Sequence, residues 1–280
     1  MTQVRRSFIV AASQRSGSTL LCRGLQDTGV AGRPDEYFLT GPPEVFPPGW
    51  RFWEEGIFAT PNGAMTRAAY IELVHQLGTT DNGVFSAKLM WNYLPLILER
   101  VEEMAEHRGR SERDKVEVLF PSLDGIVMLT RRDKVRQAVS WLRASQDGVW
   151  VVSEDEPAAP AGTPRYDGEI IAGMITLLEE ADRGWTEFAA TLGVEPIHVV
   201  YEDLVDPDGY QDAIRDVLDR LGLDEVFVEI GPARTSRQSD DLNDAWVDRF
   251  VRERSDIEGA GRHDAVASRD RPYCSEPRAE

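Results

Sequence analysis

Residues 7–25 read Ser-Phe-Ile-Val-Ala-Ala-Ser-Gln-Arg-Ser-Gly-Ser-Thr-Leu-Leu-Cys-Arg-Gly-Leu. Residues 8–12 are a continuous apolar run of strand length, and Leu20, Leu21 and Leu25 recur at helical spacing. Between them lies a small polar turn, so the stretch reads as strand, loop and helix. In such a turn the backbone N–H groups of Ser16, Gly17, Ser18 and Thr19 point into one concavity at the positive end of the helix, which suits an anion. Gly17 lets the backbone approach a ligand with no Cβ in the way. Ser18 and Thr19 add hydroxyl donors, and Arg15 adds a fixed positive charge. The expected ligand is phosphate-like. The loop is not a Walker A sequence, because no lysine follows Gly17, and this disfavours a nucleotide triphosphatase.

At 280 residues the chain can form one large α/β domain or two small ones. We expect a single domain over residues 1–257 and a disordered tail over 258–280, where Gly, Ala, Arg, Asp, Ser and Pro predominate. The net charge of −18 argues against a nucleic-acid partner, so an anionic ligand has to be held by a local cluster of arginines. Elsewhere the acidity reads as a solvated surface. The two cysteines, Cys22 and Cys274, are far apart and have no metal-type spacing, so neither a disulfide scaffold nor a zinc site is supported. Arg5 and Arg6 precede an apolar run too short for a signal segment, and no run reaches transmembrane length. A cytoplasmic protein without stable membrane insertion is the expectation.

Along the chain, residues 27–38 leave the first helix and arrive at Arg33-Pro-Asp-Glu-Tyr-Phe. Pro34 excludes a regular helix through its own position, so Asp35 and Glu36 sit on a loop or a new helix start. That places them near the carboxyl edge of an open parallel sheet, where ligands bind. By residue type alone, Glu36 reads first as a solvated acid or the neighbour of a helix cap, as most loop glutamates do. Residues 41–53, rich in Pro, Gly and aromatics, read as a wrapped loop that is structural or part of an acceptor pocket or a subunit interface. A helix over 65–77 and a turn over 78–83 lead to a second strand over 84–89. It ends in Lys88-Leu-Met-Trp-Asn. Lys88 can meet a developing negative charge, Trp91 can stack on a base or sugar, and Asn92 can orient either. Met90 and Trp91 read equally well as core.

A helix over 94–104 and a charged connection over 106–116 follow, then a third strand over 126–130 that ends in Arg131-Arg132-Asp133. The next helix carries Val135, Ala138, Val139 and Leu142 at helical spacing. Arg132 therefore lies at a strand end, with Ser140 two turns further on. An arginine fork grips phosphate through paired charged hydrogen bonds, and a serine adds a donor. Arg131 is the second candidate for the arginine. Residues 147–166 read as a mobile loop over the acceptor. A long helix over 168–192 stops at Gly193, and a strand over 196–201 leads into Glu202-Asp203-Leu204, whose acids bind an N–H or cap a helix over 210–221. Arg237 and Gln238 precede a helix containing Trp246. They read either as a lid closing on a nucleotide 3′-phosphate or as a solvated loop.

Ser13-Gln-Arg-Ser-Gly-Ser-Thr-Leu-Leu resembles the 5′-phosphosulfate loop of sulfotransferases that use 3′-phosphoadenosine 5′-phosphosulfate (PAPS), where the pattern is Pro-Lys-Ser-Gly-Thr-Thr and Arg15 takes the lysine's place. The spacing of Arg132 and Ser140 resembles their 3′-phosphate signature, and Tyr201-Glu-Asp-Leu is similar to a further element of their pattern. Taken in order, residues 12–38, 83–92, 131–144, 184–204 and 237–250 resemble the actinobacterial trehalose 2-sulfotransferase family. The most specific segments are the first loop, Lys-Leu-Met-Trp-Asn, Gln-Ala-Val-Ser-x-x-Arg-Ala and Trp-Val-Asp-Arg.

The resemblance implies an α/β, P-loop-like sulfotransferase fold with a central parallel sheet flanked by helices, and a homodimer. It implies PAPS as co-substrate, 3′-phosphoadenosine 5′-phosphate (PAP) as product, Glu36 as general base, and no metal. Arg15, Ser16, Gly17, Ser18, Thr19, Arg132, Ser140, Arg237 and Gln238 would hold the nucleotide, with Arg15 also acting in catalysis. Arg33, Asp35, Lys88, Trp91 and Asn92 would face a sugar acceptor, with trehalose the leading candidate. Residues 41–53 and 147–166 depart from the family pattern, which leaves the acceptor open. Two other classes stand beside this reading. A small-molecule kinase would share the anion loop but needs Mg²⁺ and a Walker lysine. A noncatalytic nucleotide-binding protein would keep Arg132 and Ser140 without using Glu36.

Overall fold

The computed structural model describes residues 3–38, 57–60, 63–150, 162–206, 209–223, 230–231 and 241–267. In chain order the elements are β1 (Arg6–Ala12), α1 (Ser18–Asp27), the hairpin β2 (Ile57–Thr60) and β3 (Gly63–Thr66), α2 (Arg67–Gly78), β4 (Val84–Met90), α3 (Leu94–Glu102) and α4 (Glu112–Leu119). They continue with β5 (Leu123–Thr130), α5 (Lys134–Asp147), α6 (Gly168–Leu192), β6 (Ile197–Val200), the single turn α7 (Tyr201–Leu204), α8 (Gly209–Arg220) and α9 (Asp241–Ala267).

The expected parallel sheet has the strand order β4-β1-β5-β6. β1 is central. It pairs in parallel with β4, Val10 opposite Lys88, and with β5, Val10 opposite Val127. Every residue of β1 after Arg6 is buried, which is why this strand reads as an unbroken apolar run. Alternate side chains enter opposite layers. Ile9 and Ala11 pack with α2, α3, α4 and the end of α6, through Tyr70, Ile97, Leu119 and Trp185. Phe8 and Val10 pack with α1 and α8, through Leu21, Leu25, Ile214 and Val217. A third cluster joins α5, α6 and α9 through Val139, Leu142, Ile171, Leu178, Trp246 and Phe250.

The chain leaves β1 towards β4 and then crosses to β5 and β6 on the other side. The carboxyl ends of β1 and β5 therefore flank the point where the winding reverses, the place where open α/β sheets leave a ligand crevice. Residues 13–17 and Arg131 follow directly from those two strand ends.

Two stretches differ from the sequence reading. The connection over 106–116 contains the start of α4, whose eight residues bury Val116 and Leu119 and expose most of the rest. So short and charged a helix shows little apolar periodicity, and Ser111 starts it by accepting the Asp114 N–H at 3.2 Å. The hairpin β2–β3 was not foreseen either. The backbone of α9 is helical from Asp241 to Ala267. The loop over 41–53, Arg237 and Gln238 lie outside the described residues, as does most of the loop over 147–166.

Candidate active site

The loop after β1 turns tightly because two of its residues adopt left-handed backbone: Arg15 at φ 59° and Gly17 at φ 90°. Gly17 precedes α1, and a Cβ there would lie 2.4 Å from Tyr201 Cδ2, so ring and loop backbone are in direct contact. Ser18 and Thr19 open α1, whose first N–H groups have no partner within the helix. Ser16 is fully buried, and its hydroxyl oxygen has no hydrogen-bond partner among the described residues. A buried hydroxyl without a partner beside a helix N-terminus is what an anion-binding loop presents before its ligand arrives.

Two guanidinium groups meet at this loop. Arg15 Nε donates to Ser140 Oγ at 3.0 Å, and its Nη1 donates to the Trp150 carbonyl. Burial first, then the like charge of Arg131, pull the Arg15 guanidinium down to about 10. Arg131 is 8 % exposed, lies 4.4 Å over the Tyr201 ring and donates to the Arg15 carbonyl at 3.3 Å. Burial also lowers Arg131, against the opposing influence of Tyr201 and Glu202. Two partly desolvated cations held this close are costly unless an anion joins them.

Arg132 lies differently. Its side chain is 62 % exposed and pairs with Asp203, while its backbone N–H donates to Glu202 at 3.0 Å. Glu202 also accepts the Asp133 N–H at 3.2 Å. Burial pushes the Glu202 carboxyl up, but these two N–H groups and the Arg131 charge outweigh it, and the net shift is downward. Glu202 thus binds N–H groups, one of the two roles its sequence position allows. Asp133 caps α5 by accepting the Arg136 N–H at 2.8 Å, which sets the helix that carries Ser140.

Glu36 is held from β4, the strand next to β1. Lys88, on β4 near its carboxyl end, places Nζ 2.9 Å from Glu36 Oε2, with the two side chains 8 % and 17 % exposed. The Lys88 N–H donates to the Asp35 carbonyl at 3.0 Å, so the strand also fixes the backbone of this loop. Burial works against the Lys88 charge, yet Glu36, Cys22 and Asp35 raise it overall. Arg33 turns away to the Thr79 carbonyl at 2.5 Å, and the Asp35 carboxylate accepts the Glu36 N–H at 2.8 Å. Cys22 in α1 is buried beside the Lys88–Glu36 pair, and burial first raises its thiol to about 12, which makes it inert at neutral pH.

Trp91 packs edge-on to Trp185 at 5.4 Å and presses on α6 so closely that a Cβ on Gly184 would come within 2.1 Å of its ring. Its indole is therefore largely committed to packing. Asn92 is exposed, and its Oδ1 accepts from Gln14 Nε2 at 2.5 Å, tying the end of β4 to the anion loop.

The sequence reading gave no role to Gln137, which is fully buried in α5. Its Nε2 donates to Ser13 Oγ at 3.1 Å and to the Gln14 carbonyl at 2.7 Å. No local pattern marked it, because Gln137 lies off the helical stripe of Val135, Ala138, Val139 and Leu142. Tyr201 was equally overlooked as the ring that seats both Gly17 and Arg131. Among the described residues no group of three or more His, Cys, Asp or Glu is placed to hold a metal ion, and no helix is long and apolar enough to cross a membrane.

Comparison with known proteins gives this geometry its context. The chain is 33 % identical over 264 residues to trehalose 2-sulfotransferase of Mycobacterium tuberculosis (strain Erdman), covering 89 % of this chain and 96 % of that one. It is 33 % identical over 261 residues to trehalose 2-sulfotransferase of Mycolicibacterium smegmatis, covering 88 % and 95 %. The family model of the Stf0 sulphotransferases matches residues 7–253, from the first residues of β1 into α9. A match that takes in the whole sheet and every described side chain of the crevice is more than local likeness: the chain belongs to the Stf0 sulphotransferase family.

Proposed function

We propose that this sulphotransferase moves the sulfuryl group of PAPS to a hydroxyl of a carbohydrate, with trehalose as the leading acceptor, and releases PAP. The observation that carries the reading is that two sites stand on the neighbouring strands β1 and β4. One is an anion loop with a buried, unpartnered Ser16 hydroxyl beside the Arg15 and Arg131 guanidiniums. The other is the Glu36 carboxylate held by Lys88. The first fits the 5′-phosphosulfate, and the second fits an acceptor hydroxyl. The names of the two mycobacterial relatives favour trehalose as that acceptor.

In this reading Glu36 takes the proton from the acceptor hydroxyl as its oxygen bonds to sulfur. The bond from sulfur to the 5′-phosphate oxygen breaks, and its electron pair leaves with PAP. A positioned base contributes about 10²–10⁴ in rate. Arg15, with the N–H groups of residues 16–19 and the hydroxyls of Ser18 and Thr19, meets the charge that grows on the sulfuryl and phosphate oxygens. Arg132 and Ser140 serve the 3′-phosphate, with Arg237 and Gln238 closing over it. Asp35, Lys88 and Asn92 stand on the acceptor side, and Arg33, bonded to the Thr79 carbonyl, and Trp91, packed on Trp185, shape it from behind. The enzyme works without a metal, as a cytoplasmic homodimer. Exposed Ile170 and Leu177 on α6 supply apolar surface for such an association.

The test is steady-state PAP release with trehalose as acceptor, in EDTA. Wild type should turn over, and Glu36→Gln should lose about 10²–10⁴ in kcat. A Glu36→Gln enzyme at nearly full rate overturns the role given to Glu36.

A further inference from the structure

Arg15 is one of two non-glycine residues with positive φ among the described residues, and it stands in the middle of the anion loop. Left-handed backbone is unfavourable for a residue with a long side chain and persists only where the surroundings impose it. Both peptide groups that flank Arg15 are gripped from outside the loop. The Gln14 carbonyl accepts from Gln137 Nε2 at 2.7 Å, and the Arg15 carbonyl accepts from Arg131 Nη1 at 3.3 Å. In a trans peptide the C=O and the following N–H point in opposite directions. Fixing the Gln14 carbonyl on α5 therefore also turns the Arg15 N–H away from α5.

Gln137 is itself held. Its second donor contact is to Ser13 Oγ at 3.1 Å, and its Oε1 accepts from Lys134 Nζ at 3.3 Å. Lys134 in turn pairs with Asp182 of α6 at 2.5 Å. Burial raises the Asp182 carboxyl, and the Lys134 ammonium opposes that rise. A line of polar contacts thus runs from α6 through Lys134 and Gln137 to the loop backbone, with the amide fully buried and bonded at both ends. An amide that could pack there as a methionine-sized side chain instead spends both N–H donors on residues 13 and 14.

We infer that Gln137 is a positioning residue. Together with Arg131 it clamps the peptides on either side of Arg15, holds that residue left-handed, and so aims the Arg15 guanidinium at the reacting group. The part of this inference that concerns turnover rests on the PAPS reading above. The part that concerns loop order does not.

The experiment separates the two. Amide hydrogen exchange of the ligand-free protein is compared for wild type, Gln137→Met and Gln137→Glu, and kcat and KM are measured on the same preparations with PAPS and trehalose. Gln137→Glu keeps the side-chain volume and the contact with Lys134 while losing both N–H donors, so it serves if the methionine variant fails to fold. We expect loop amides of residues 13–19 to exchange roughly tenfold faster in either variant while the middle of α5 and α6 is unchanged. We expect kcat to fall about 10²-fold, as for misplacement of a catalytic group by around an ångström, with the acceptor KM within about twofold of wild type. Loop exchange equal to wild type, or faster exchange spread evenly over α5 and α6, overturns the positioning role whatever the rates. Loop exchange that rises while kcat stays at the wild-type value overturns the link to Arg15. If wild type itself transfers nothing from PAPS, the PAPS reading fails, and the exchange data alone decide the clamp.

Discussion

Lys88 Nζ and Glu36 Oε2 lie 2.9 Å apart, and both side chains are largely withdrawn from water. The strand thus delivers a cation to the loop glutamate proposed as the base. Removing the cation leaves a carboxylate with little solvent and no counter-charge. Lys88→Met is expected to destabilise the fold by about 1–3 kcal/mol, and Lys88→Arg by less, since the charge is kept. Urea unfolding midpoints of the two variants check this. Equal stability of wild type and Lys88→Met would mean the pair is not formed in solution.

Gly17 meets two constraints at once, a φ of 90° and a ring 2.4 Å from where its Cβ would stand. Gly17→Ala should cost about 1–3 kcal/mol from the backbone conformation alone, with displacement of Tyr201 added to it. Thermal unfolding reads the first effect. Calorimetric titration with PAP reads the second, as weakened binding.

Arg131 and Arg132 divide the work of the strand end. Arg132, 62 % exposed with Asp203 as partner, is free to exchange that acid for a phosphate. Arg132→Ala should weaken PAP about ten- to hundredfold, the value of a charge-assisted hydrogen bond, and leave adenosine 5′-phosphate unchanged. Loss of affinity for both nucleotides would place the residue elsewhere than at the 3′-phosphate.

Glu202 gives the protein a pH dependence whose sign follows from its lowered carboxyl. A carboxyl held lower in the folded state than in the unfolded one, where it sits near 4.3, stabilises above that value and loses the contribution as pH falls through the folded value. Wild type should therefore melt higher than Glu202→Gln at pH 7, and the gap should close as pH drops below about 4. A gap that is constant with pH would show that the N–H contacts of Arg132 and Asp133 do not depend on the charge.

Much of this site was legible before any coordinates. β1 and the loop stood out because a strand buried on both faces is an uninterrupted apolar run that ends abruptly in Ser-Gln-Arg-Ser-Gly. Strand parity separates Arg131 from Arg132. Val127 and Leu129 face the α1 and α8 layer, and Arg131 continues that odd-numbered row to reach Tyr201 and the Arg15 carbonyl. Gln137 was hidden for another reason. Its partners, Ser13 and Gln14, are more than a hundred residues away in the chain, so nothing local marks its amide as bonded rather than solvated. α4 escaped because two buried residues in eight leave no apolar stripe to find.

The account stands or falls on transfer of ³⁵S from labelled PAPS to a panel of sugars that includes trehalose, with EDTA present and Glu36→Gln as the control. The prediction is label on one sugar, trehalose foremost, and none above background with the Glu36→Gln enzyme. Label that persists in the mutant would contradict the base, and a wild-type enzyme that neither labels a sugar nor binds PAP would contradict the PAPS reading itself.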